Sequence, residues 1–160
     1  MFEYEIIVDH NETKKQCTIL PLSDRPDFLI RRYKPNKPLS PLNADVLLHP
    51  EGTPLNLIPN QNTKTLAALD CIWRRLEAIT NSLKPSLPTL VSIPEGFVTA
   101  YPRKSRDGSD PTAGLATIEA LFIAAAFLGQ WDQTLLDKYY FKDSFLEKNR
   151  HTFAKYHLGP

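Results

Sequence analysis

The chain has 160 residues, 42% of them hydrophobic, and nineteen basic against eighteen acidic side chains give a formal charge of +1. That length suits one globular domain, residues 1–160, with its own core, and the charge balance excludes a strongly basic coat for non-specific nucleic-acid binding while leaving room for a local patch. The two cysteines, Cys17 and Cys71, make neither a disulfide framework nor a metal quartet, so no metal is expected and a reducing, cytoplasmic setting is.

The opening MFEYEIIVDH lacks a basic stretch leading into an apolar one, so no secretory leader is expected. Its alternation and β-branched residues predict a strand. CTILPL reads as a second short strand stopped by Pro21. Prolines at 26, 35, 38, 41, 50, 54 and 59 exclude a long helix in the proline-rich part that runs to residue 60. Within it FLIRRY and DVLLH read as strands, and SPLNAD as a one-turn helix with proline in its first turn. TLVSI, from Thr89, reads as a buried strand ending at Pro94. PEGFVTAYPRKSRDGSDPTAG is a long irregular segment, and such loops in compact domains are disproportionately functional. LATIEALFIAAAFLG predicts a helix that is apolar on nearly every face and closes at Gly129. Traced back to Ala113, that apolar run is broken by Thr117 and Glu119 and is too short to span a bilayer. Helices are predicted in WDQTLLDKYYFKD and SFLEKNRHTFAKYH, the latter with Phe145, Asn149, Phe153 and Tyr156 near one face. Short strands followed by buried helices point to an α/β layer fold.

LAALDCIWRRLEA, from Leu66, admits two readings. Leu66, Leu69, Ile72, Trp73, Leu76 and Ile79 recur at helical spacing, which predicts one amphipathic helix and makes Asp70 an incidental surface carboxylate. Burial argues otherwise. TLAAL is nearly all apolar, whereas Arg74, Arg75 and Glu77 appear only afterwards, as if a buried strand turned into a helix. That reading puts Asp70 and Trp73 at the carboxyl edge of a sheet, where α/β folds bind ligands.

The segment LDCIW resembles the DCSW signature of the small-subunit ribosomal RNA aminocarboxypropyltransferases. KKQCT resembles that family's KKCT element, LSPLNAD its LSPAD segment, LPTLVS its LPxLVAANP strand, LATIEALFIAAAFLG its LSCVEALAAALYIVG helix, and DSFLEKNR its HxFLELN ending. The matches keep their order from about residue 14 to 150. Ile72 stands where the family has serine. The loop with YPR followed by GLATIEA is instead similar to the GLSTLEA region of the DTW-domain tRNA aminocarboxypropyltransferases, and LLHPEG falls near that group's LLFPS. The resemblance implies a mostly parallel α/β sheet flanked by helices, SPOUT-like, with a C-terminal trefoil knot around an S-adenosylmethionine pocket within residues 61–160. It also resolves the disputed segment as a strand to Leu69, a turn at Asp70 and Cys71, and a helix from Ile72 or Trp73.

The activity implied is transfer of the 3-amino-3-carboxypropyl group of S-adenosylmethionine to a uridine or pseudouridine base in rRNA or tRNA, releasing methylthioadenosine. This is work of positioning and proton removal rather than of a covalent nucleophile. By resemblance, Asp70 is the catalytic candidate; its plainer role is a turn or helix-cap residue. Trp73 resembles the tryptophan that holds the donor's side chain, and is otherwise a core anchor. Thr18 would take the donor's carboxylate, and is otherwise an ordinary strand-end threonine. Leu48, His49, Leu90 and Val91 would line adenine and ribose, and Leu115, Ala116 and Thr117 would close the pocket. Cys71 reads as a small core hydrophobe, and Glu119 as a structural carboxylate in a helix's first turn. Arg31 and Arg32 in RRYK, Arg74 and Arg75, and Tyr101, Arg103, Lys104 and Arg106 in YPRKSR mix cations with aromatics, as RNA contact requires, or are solvated surface. RNA is the partner implied, within a pre-ribosomal particle or free, and a monomer is expected, with a homodimer as the alternative. Two other functions stay open: an RNA methyltransferase using the same cofactor, and a non-enzymatic RNA-binding ribosome-assembly factor.

Overall fold

The computed structural model describes residues 1–12, 17–59, 62–102 and 114–160. Among these residues five strands are formed: β1 (Glu3–Asp9), β2 (Phe28–Tyr33), β3 (Val46–Pro54), β4 (Thr65–Asp70) and β5 (Thr89–Ser92). They lie in the order β2-β1-β4-β3-β5, and every described pairing is parallel. A parallel sheet must be covered on both faces, and the period-two alternation of each strand sorts its side chains between two cores. Tyr4, Ile6 and Val8, Val46, Leu66 and Ala68, and Val91 pack on one face beneath α2 (Thr117–Phe127) and the C-terminal aromatic residues. Ile7, Leu47 and Ala67 pack on the other against Ile79 and Leu83 of α1 (Leu76–Leu83).

Acids on the α1 face are each paired. Glu5 accepts from Arg31 at 2.8 Å and from the Asn43 N–H at 2.9 Å. Asp9 accepts from Arg75 Nε at 3.0 Å and lies 2.8 Å from His10 Nδ1. Burial opposes the charge on Asp9, but the bonds from Arg75 and His10 outweigh it and hold its carboxyl below the usual range.

The strand-turn-helix reading of LAALDCIWRRLEA describes this structure. β4 runs one residue further than expected, through Asp70, and a 3-10 turn at Trp73–Arg75 leads into α1. α2 closes on a Schellman motif: Gly129 has φ +92°, Gln130 N–H reaches Ala125 O at 2.8 Å, and Gly129 N–H reaches Ala126 O at 3.1 Å.

Several expectations fail or change in extent for identifiable reasons. CTILPL is not a strand but a turn ending in a 3-10 helix, Leu20–Leu22, with Pro21 early in it and the Leu20 N–H directed to Cys17 Sγ. SPLNAD is extended. Side chains take its backbone groups: Arg31 binds the Ser40 carbonyl at 3.0 Å, and Glu5 takes the Asn43 N–H. DVLLH extends to Pro54 with an irregularity, because Leu48 and Thr53 both pair with Val91. Gly52 lies there against the backbone of β5, and a Cβ would come 2.4 Å from Val91 N. WDQTLLDKYYFKD is not one helix: it holds a four-residue 3-10 helix, Gln133–Leu136, which Asp132 caps by accepting the Thr134 N–H, and its last two residues open the next helix. SFLEKNRHTFAKYH divides into α3 (Lys142–Lys148) and α4 (Arg150–Lys155). Asn149 sits at the break, fully buried, with its amide bonded to Val98 N, Val98 O and Phe145 O. No helix among the described residues is long and apolar enough to cross a membrane.

Candidate functional site

Three segments distant in sequence meet at the carboxyl end of β4. Asp70 ends the strand on the same face as Leu66 and Ala68, the α2 face, and is only 6% exposed. Its Oδ2 accepts from the Cys17 thiol at 2.7 Å, and its Oδ1 accepts from the Thr117 hydroxyl at 2.6 Å. Thr117 is the first residue of α2; Cys17 lies in the segment following β1. Burial, then the charge of Asp70 and its hydrogen bond, push the Cys17 thiol up to about 12, so it remains protonated and donates. Cys71, on the other face of the strand, is pushed to about 12 chiefly by burial; both cysteines are free thiols. Among the described residues no arginine, lysine or histidine pairs with Asp70.

The start of α2 is held from elsewhere in the chain. Ala116, at its N-cap position, carries no side-chain oxygen, so Thr18 supplies one: its hydroxyl accepts the Ile118 N–H at 3.2 Å. Three residues into the helix, Glu119 is fully buried. It accepts from Ala116 N at 2.7 Å, Thr99 Oγ1 at 2.6 Å, Ala100 N at 2.9 Å and the Tyr139 hydroxyl at 2.9 Å. A carboxylate is well suited here because the first-turn N–H groups present partial positive charge.

The remaining sequence candidates divide by strand parity. Leu48 and Val91 belong to the α2 face with Asp70, and Leu115 packs there too. His49 and Leu90 point to the α1 face. His49 Nδ1 accepts the Glu51 N–H at 3.1 Å, which places its proton on Nε2, 3.1 Å from Thr80 Oγ1; Thr80 in turn donates to Leu76 O. Burial lowers the His49 pKa. The side chains of His49 and Leu90 therefore do not join Asp70. Trp73 is not a core anchor. It is 45% exposed, beside the half-exposed Ile72.

Of the basic residues, Arg31 and Arg75 are engaged with Glu5 and Asp9, and Arg32 binds the carbonyls of Asp9 and Glu12. Arg74 is exposed and forms no ion pair among the described residues. Tyr101 is half-buried, edge-on to Phe141. Arg103, Lys104 and Arg106 lie outside the described residues. No group of three metal-ligating side chains occurs among the described residues. A separate cleft of about 440 Å³, lined by Trp131, Asp143, Leu146, Glu147 and Arg150 among others, shares no residue with the Asp70 site. Sequence reasoning passed over Cys17 as a partner of Asp70. Nothing in the spacing of residues 17 and 70 announces a contact made only by the sheet.

An open parallel α/β sheet with a buried carboxylate at its carboxyl edge belongs to the class of α/β folds that bind ligands there. No family model matches the chain, and no curated protein matches it in sequence. Its fold is similar to that of the SAM-dependent rRNA:acp-transferase Tsr3 from Vulcanisaeta distributa, with a TM-score of 0.68 and 20% identity over 98% of this chain and 83% of that one.

Proposed function

We propose that this chain is an enzyme that transfers the 3-amino-3-carboxypropyl group of S-adenosylmethionine to a uridine or pseudouridine base of ribosomal or transfer RNA, with methylthioadenosine as the second product. The observation that carries the reading is Asp70: a carboxylate buried at a strand's carboxyl end, held by two neutral donors, and without a cationic partner among the described residues. Its place in a fold similar to that of an rRNA:acp-transferase supports the same reading.

The donor set fits a sulfonium compound. An uncompensated carboxylate and the exposed face of Trp73 both favour a cation, and the partly buried Leu48 and Leu115 offer apolar surface on the Asp70 face of the sheet, above the buried Val91. When bound, S-adenosylmethionine supplies an electrophilic carbon next to its sulfonium. Asp70 then orients the reacting groups by charge or accepts the proton that the nucleobase loses. Thr18, at the opening of α2, suits the donor's carboxylate. Ala116 and Thr117 would close the pocket at the opening of α2, and Trp73 would hold the donor's side chain. No side chain needs to form a covalent intermediate.

RNA is met by Arg74 and the exposed face of Ile72 and Trp73, with Tyr101, Arg103, Lys104 and Arg106 adding phosphate contacts. We read the fold as SPOUT-type with a C-terminal trefoil knot. In its support, α2 follows β5 in sequence yet opens between the segment after β1 and the end of β4. Residues 1–60 contribute β1, β2 and β3, and residues 61–160 contribute β4 and β5, to a single sheet, which supports one domain. The protein is read as cytoplasmic and monomeric, and light scattering tests the latter.

The experiment is a double-label transfer assay with candidate RNAs and S-adenosylmethionine labelled on the aminocarboxypropyl chain or on the methyl. Chain label in RNA, reduced at least a hundredfold in folded Asp70→Asn, is the expected result, a magnitude of about the usual order for a lost general base. Methyl label alone would turn the assignment to a methyltransferase. RNA binding without either label would leave an assembly factor.

A further inference from the structure

Asp70 is held more firmly than its exposure requires, and the manner of holding has a chemical consequence. An ionised carboxylate offers about four in-plane acceptor sites on its two oxygens. One site on Oδ2 is taken by the Cys17 thiol at 2.7 Å and one on Oδ1 by the Thr117 hydroxyl at 2.6 Å. The donors come from opposite ends of the chain, 53 and 47 residues from Asp70. Each is itself anchored. Cys17 is buried and its sulfur receives the Leu20 N–H at 3.4 Å, while Thr117 begins a helix tied down by Glu119 and Thr18.

We propose that Cys17 and Thr117 are positioning residues that clamp both oxygens of Asp70, fix the carboxylate plane, and leave its remaining acceptor sites aimed at the substrate. The proposal rests on the transferase reading above and deepens it. Cys17 is not a nucleophile in this role. It is buried, and burial beside a carboxylate keeps it in the thiol form. A thiol is a weak donor, so it orients Asp70 while drawing little charge from it. Serine at the same position retains a donor; alanine does not.

The clamp is tested first without turnover. In a Cys71→Ala background Cys17 is the sole thiol, and its S–H stretching band in the infrared reports hydrogen bonding directly. The band should lie at the hydrogen-bonded position and move to the free-thiol position in Asp70→Ala. An unmoved band overturns the clamp. Turnover is then measured on folded variants. Cys17→Ala and Thr117→Val should each lower kcat roughly ten- to a hundredfold, the scale of a carboxylate misplaced within its site, and in Cys17→Ala, which removes no residue assigned to donor binding, KM for S-adenosylmethionine should change about twofold or less. Cys17→Ser and Thr117→Ser should recover most of kcat, which a purely structural role would not require. Wild-type kcat in Cys17→Ala, or no gain of Cys17→Ser over Cys17→Ala, overturns the positioning role while the transferase reading stands. Absence of transfer by the wild-type protein overturns that reading, and the catalytic part of this one with it.

Discussion

Glu119→Gln makes the sharpest test of how the site is held. The carboxylate receives two donors on each oxygen: Thr99 Oγ1 and Ala116 N on Oε1, Ala100 N and Tyr139 OH on Oε2. An amide of the same shape has one oxygen and one NH2. The Thr99 and Tyr139 hydroxyls can rotate to accept from that NH2, but a backbone N–H cannot. Whichever way the amide is turned, one backbone donor, Ala116 or Ala100, is left facing another donor. An unpaired buried N–H costs about 1–3 kcal/mol, and conversion of the surviving charge-assisted bonds to neutral ones costs about 1 kcal/mol more. The sum, about 2–4 kcal/mol, is a large share of the roughly 5–15 kcal/mol available to a typical domain. For a chain of this size that corresponds to a fall in Tm of about 5–15 °C. Urea titration followed by circular dichroism measures it, with the m-value as a check that the unfolded state is unchanged. Because Glu119 secures the opening of α2, where Thr117 meets Asp70, ligand affinity should fall as well. A Glu119→Gln protein within about 0.5 kcal/mol of the wild type, the range of an ordinary surface change, would refute the four-donor description.

Asn149→Leu should cost about 1–3 kcal/mol by stranding the Val98 N–H and C=O, read as a shift in urea midpoint at constant m. Trp73→Ala should cost only about 1–2 kcal/mol rather than the full core value, because nearly half of the side chain is exposed; calorimetric titration should show donor binding weakened in the folded variant. His49 is buried neutral with its pKa lowered, so the unfolded chain binds a proton first as pH falls. Its contribution is intact above the ordinary histidine value near 6.5 and is lost progressively below it; His49→Gln should flatten that part of the stability profile.

What was legible in the sequence was local. The β-branched alternation of FEYEIIVDH, the apolar run closed by Gly129, and the change of composition at Asp70 each reflect a pattern that neighbouring residues impose on one another. The aromatic face of the C-terminal segment was also local, since Phe145, Asn149 and Phe153 recur at helical spacing. Expectations failed where side chains from elsewhere took the backbone groups that a local element would have used, as Arg31 and Glu5 do to SPLNAD. The site shows the same division. Its residues stood as candidates through resemblance, Cys17 excepted, but their parity did not: which of Leu48 and His49, or Leu90 and Val91, faces α2 depends on the register of β3 and β5 against the sheet. A strand exposes alternate residues to opposite faces, and a slip of one residue exchanges them all. That register is fixed by long-range burial, which no stretch of the sequence contains by itself, and so the meeting of Cys17, Asp70 and Thr117 belongs to the tertiary structure.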